Sequence, residues 1–78
     1  MRLLLIEWID SCSSGGWKGK EDINTEPSHC FSVGLAFKET EEAITLVLSG
    51  ANDTREYADT MTIPVGSIKR IRELKVVK

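Results

Sequence analysis

The chain has 78 residues, enough for one domain and too few for two. Its hydrophobic content of 41% and charged content of 28% suit a globular domain and exclude a disordered one. A formal net charge of −2 excludes a protein that coats nucleic acid nonspecifically, which needs broad positive charge.

That charge is unevenly spread. Residues 68–78 hold Lys69, Arg70, Arg72, Lys75 and Lys78 against Glu73, a local +4 that leaves −6 for the remainder. Such a strip is either the solvated face of a terminal strand or a short track for a few phosphates. A chain this small buries only roughly 60–65% of its unfolded surface, so support from self-association or a ligand is expected. Leu3-Leu4-Leu5-Ile6 follows a single Arg, but Glu7 ends the run before the roughly 7–15 apolar residues of an export signal. Nothing approaches the roughly 18 apolar residues of a membrane span. The expected setting is the cytosol, where Cys12 and Cys30 remain reduced thiols.

In chain order, residues 3–9 are short, apolar and bulky, which predicts a buried strand carrying Trp8 in the core. Residues 11–27 break the pattern and predict a long loop, with a helical turn near Glu21-Asp22-Ile23. Phe31, Val33, Leu35 and Phe37 then alternate with Ser32, Gly34, Ala36 and Lys38, predicting a strand whose Phe31 row is buried. Gly34, on the other face, allows a bend or a close backbone approach. After a polar turn at 39–42, Ile44, Leu46 and Leu48 alternate again, and the two strands form an antiparallel hairpin. Residues 49–57 read as a loop, Thr60 to Ile63 as a fourth strand ended by Pro64, and Val65-Gly66-Ser67 as a tight connection. Ile68, Ile71 and Leu74 recur every third residue, which fits a short helix or a 3₁₀ turn entering a bulged strand; Val76-Val77 and the β context favour the strand.

The expected architecture is all-β: one domain over residues 1–78, with five short strands that hide their edges by curling. The segment from Met61 through Pro64, Val65-Gly66-Ser67 and Ile68 to Ile71 resembles the closing end of SH3-like and Sm-like barrels. That resemblance implies a small barrel with a 3₁₀ turn before its last strand. More widely, Trp8-Ile9-Asp10, Gly16-Trp17, Ser32-Val33-Gly34, the hairpin from Glu39 to Leu46, and Ile63-Pro64 with Ile68 and Ile71 resemble small accessory proteins of tailed bacteriophages and prophages. This likeness implies a host-cytosol setting and an accessory role in infection, without a known activity.

Catalytic motifs fail on spacing. A phosphate-binding P-loop needs four residues between its glycines and a hydroxyl after its lysine. Gly15 and Gly19 enclose three, and Glu21 follows Lys20. Zinc needs about four ligands, against Cys12, His29 and Cys30 with no C-x-x-C pair. A Cys–His nucleophile would have to draw Cys12 to His29 across the loop. The acidic residues Glu41, Glu42, Asp53, Glu56 and Asp59 fall in turns or at exposed positions. The chain reads as a non-enzyme without metal or cofactor.

The glycine-rich loop carries the functional expectation. Ser14, Gly15 and Gly16 can turn backbone N–H groups toward an anion, Lys18 and Lys20 add charge, and Trp17 can stack on a base. Arg55 and Tyr57 extend the set. A second reading has Trp17 folding back to cap the core. The expected function is capture of a small phosphorylated ligand by a homo-oligomer; in the phage setting this is a sponge for a nucleotide signal of bacterial defence. Two alternatives stand beside it: an Sm-like binder of single-stranded RNA or DNA using Lys69, Arg70, Arg72 and Lys75, and a module that blocks a host protein.

Overall fold

The computed structural model describes residues 1–77, so Lys78 of the basic strip lies outside the described residues. Among them every regular element is a strand or a short 3₁₀ turn. Leu3–Asp10 forms β1, Ser28–Glu39 β2, Ala43–Ala51 β3, Glu56–Pro64 β4 and Ile68–Leu74 β5. They build one antiparallel sheet in the order β4-β3-β2-β1-β5. The all-β expectation holds, with the long connection after β1 and a 3₁₀ turn, Val65–Ser67, before β5. The helical turn in the long connection is 3₁₀ too, at Lys20–Asp22. No helix among the described residues is long and apolar enough to cross a membrane.

β4 and β5 are opposite edges of this sheet, yet only the three residues Val65–Ser67 join them. Four Cα steps reach at most about 14 Å. The edges of a flat five-stranded sheet lie roughly 19 Å apart. The sheet therefore curls, and β2 is where it bends. Through Ser28 to Leu35 this strand pairs with β1; from Leu35 to Glu39 it pairs with β3. Two three-stranded halves share it and fold toward each other. No ladder between β4 and β5, as a closed barrel needs, is among the pairings of the described residues.

Gly34 makes the bend possible. A Cβ there would stand 2.9 Å from the Val47 carbonyl oxygen and 3.2 Å from the Leu46 Cβ. The close approach foreseen at this glycine is present, on the core side of the strand. Leu4 and Ile6 from one half meet Ile44, Leu46 and Ile63 from the other, with Ala36 between and Trp8 and Ile68 packed against them.

The burial of β2 is the reverse of the expected one. Phe31, Val33, Leu35 and Phe37 are 76%, 46%, 39% and 51% exposed, while Gly34 and Ala36 are buried. Alternation says which residues share a face; it does not say which face is inside. The halves approach too closely at β2 to admit large side chains, so the small row turns inward. Leu48 departs likewise, at 67% exposure, because β3 has left β2 beyond Val47.

Polar contacts pin the ends. Thr40 Oγ1 donates to the Ala43 carbonyl and accepts from the Glu42 and Ala43 amides, closing the β2–β3 turn. The Glu42 carbonyl accepts the Val65 N–H at 2.8 Å, which ties the 3₁₀ turn to that hairpin. Arg2 forms a two-pronged ion pair with Glu39 and lies 3.9 Å from Glu73. Its guanidinium, by hydrogen bond first, holds the Glu39 carboxyl below the usual carboxylate range.

Candidate binding surfaces

The loop at residues 11–27 is held at its two ends. Asp10 accepts the Ser11 N–H, and the Cys12 thiol meets the Ser28 hydroxyl at 2.8 Å, not His29. Between them Ser14, Gly15, Gly16, Trp17, Lys18 and Lys20 are all exposed. Gly16 has φ +85°, where a side chain would strain the backbone. Trp17 is fully exposed at 104%, so the core-capping reading is overturned: the loop stands away from the sheet, out of reach of any cover. The indole is left free, with Lys18 and Lys20 following it in the chain.

Arg55 and Tyr57 lie elsewhere, on the β3–β4 hairpin, which extends further than the sequence suggested because β4 begins at Glu56. Four residues, 52–55, turn the chain, and Arg55 closes the turn by donating its N–H to the Ala51 carbonyl at 2.8 Å. It does so at φ 59°, a left-handed conformation costing roughly 1–2 kcal/mol for a residue with a side chain. Gly50 lets the Tyr57 ring lie against the strand, since a Cβ there would stand 3.3 Å from the ring. The ring then meets Phe37 edge-on, with centroids 5.2 Å apart and planes at 66°. Together Arg55 and Tyr57 line a cleft of about 470 Å³ whose walls include Met1, Leu35, Asn52 and Ser49. No residue of the glycine-rich loop lines it. The expected ligand set is thus divided between two places.

The basic quartet is also divided. Residues Lys69 and Arg70 line a second cleft, about 440 Å³, with Trp8, His29 and Phe31. A register shift between Glu7 and Trp8 leaves Lys69 as an extra residue in β5, and such bulges re-aim side chains. Arg72 turns instead beside Glu7, at 3.9 Å, and Lys75 lies past the end of β5. The aromatic partners of Lys69 and Arg70 escaped sequence reasoning because they come from β1 and β2. Only the pairing of β5 with β1 brings them together.

Among the described residues no cluster of three or more His, Cys, Asp or Glu is placed to hold a metal. Compared with protein-family models, curated proteins and solved structures, the chain matches none.

Proposed function

We propose that this protein is a non-catalytic binder of a small phosphorylated, nucleotide-like ligand. The observation that carries the reading is the cleft shared by Arg55 and Tyr57. It pairs a guanidinium, which grips phosphate through a planar fork, with a ring that can stack on a base. Its volume of about 470 Å³ lies in the range of small-ligand pockets. Capture without turnover needs only such groups. In the setting suggested by the likeness to phage accessory proteins, the ligand is a nucleotide signal of bacterial defence and the protein removes it from circulation. The loop carrying Trp17, Lys18 and Lys20 is a second contact surface for the same class of ligand.

A second reading, single-stranded nucleic acid, is favoured by the cleft in which Lys69 and Arg70 adjoin Trp8, His29 and Phe31.

A thermal-shift screen against cyclic di- and trinucleotides, nucleotide sugars and short RNA tests both. A ligand at a hundred times its Kd should stabilise the fold by about 2.7 kcal/mol. Arg55→Gly is the informative variant. It removes the guanidinium and relieves the left-handed strain, so its own melting temperature should hold or rise while the ligand shift is lost. A shift that survives both Arg55→Gly and Tyr57→Ala would refute the cleft. A shift given by RNA alone, steeply weakened by salt, would favour the second reading.

A further inference from the structure

The row Phe31, Val33, Leu35 and Phe37 lies on the outer face of the sheet and remains between 39% and 76% exposed. Leu5 and Leu3 on β1 stand beside Val33 and Leu35, and Tyr57 meets Phe37, so the row broadens into a patch. We propose that this face is where a second copy of the chain docks, sheet against sheet, about a two-fold axis.

Three observations name a second copy as the occupant. The first is how little the chain buries alone. Among the described residues seven hydrophobic ones are buried, both cysteines are free thiols and there is no metal cluster. Small domains without a disulfide or metal usually gain their support by association.

The second is area. With 150–250 Å² per aromatic side chain, Phe31, Phe37 and Tyr57 leave roughly 350 Å² in water at their observed exposures, and Val33 and Leu35 bring the patch to roughly 500 Å². A standard interface takes about 800 Å² per partner, and a homodimer's is about 65% apolar, which asks for about 520 Å².

The third is charge. A two-fold contact sets each surface against itself, so its rim must carry both signs. Glu7 borders Phe31, and Arg70 and Arg72 border Glu7 and Leu5 across the β1–β5 ladder. A copy turned by 180° can place arginine against glutamate on both sides.

The inference does not rest on the ligand reading, and its test uses no ligand. Sedimentation equilibrium should give the parent protein twice its 8.7 kDa chain mass at tens of micromolar. Phe31→Glu and Val33→Lys should each return it to the single-chain mass. Ile23→Glu, at an exposed apolar residue of the 11–27 loop, should leave the doubled mass intact. A parent that stays at the single-chain mass up to about millimolar would overturn the proposal and leave the face to another kind of partner. So would an assembly dissociated by Ile23→Glu and untouched by the Phe31 row. If the row variants fail to fold, the parent's melting temperature decides: it should rise with protein concentration, and a constant value counts against the dimer.

Discussion

A methyl group at position 34 would press on the Val47 carbonyl oxygen from 2.9 Å, with Leu46 close behind. Backbone cannot swing aside as a side-chain tip can, so β3 must move as a unit. Gly34→Ala should therefore cost about 1–3 kcal/mol in chemical denaturation. At Gly66 a Cβ meets nothing within 4 Å, and Gly66→Ala should change stability by less than about 0.5 kcal/mol. Equal losses at both sites would contradict the bend at β2. Glu39 offers a residue-scale test in pH. Its folded-state pKa is depressed by Arg2, so the stability it adds is present above the unfolded carboxylate range and is lost as pH falls through the folded value. Both partners are well exposed, so the effect is small. The melting temperature of Glu39→Gln should sit slightly below the parent's at pH 7, and the gap should close as pH falls from the ordinary carboxylate range of about 4.3 through the lower folded value.

At the scale of elements, β2 is the strand that pattern reading found most clearly and oriented wrongly. Its period of two was plain in Phe31, Val33, Leu35 and Phe37, and the strand is there. What the alternation lacked was the distance to the opposing layer. That distance is set by β3 crossing Gly34, a contact between residues far apart in sequence. In β1 the same reasoning worked, because both faces carry large apolar residues and Leu4, Ile6 and Trp8 pack inward. There Trp8 donates its indole N–H to Ser32, whose hydroxyl reaches the Met61 sulfur, linking β1, β2 and β4. The β2–β3 turn is closed by the Thr40 N–H, which donates to the Ala43 carbonyl at 2.9 Å, and by three hydrogen bonds of the Thr40 hydroxyl. Thr40→Ala should lower unfolding free energy by about 1 kcal/mol, and Thr40→Ser should recover most of it. A neutral Thr40→Ala would mean the turn is held by its backbone alone.

Across the whole molecule, the candidate ligand cleft and the apolar face are neighbours, since Leu35 belongs to both and Tyr57 edges each. A second copy on the face would wall the cleft's open side. Binding and dimerisation should then be coupled, and coupling is reciprocal. A ligand that stabilises the parent should raise the dimer fraction at limiting protein concentration, and Phe31→Glu should shrink the ligand shift; an unchanged mass would show that cleft and face act separately. Of the candidate site, the residue types were legible in the sequence: an arginine and a tyrosine near a turn, and a tryptophan followed by two lysines in a glycine-rich loop. Their grouping was not, because Arg55 meets Leu35 and Met1 only once the β3–β4 hairpin is folded over β2. By itself the sequence determined the all-β class, the five strands and the turn before the last of them, because side-chain period and turn chemistry act between residues close in the chain. The tertiary structure alone decided which face of β2 is buried, where the basic residues gather and which aromatics stand beside them. These depend on how closely two halves of a sheet can approach, and no local pattern carries that distance.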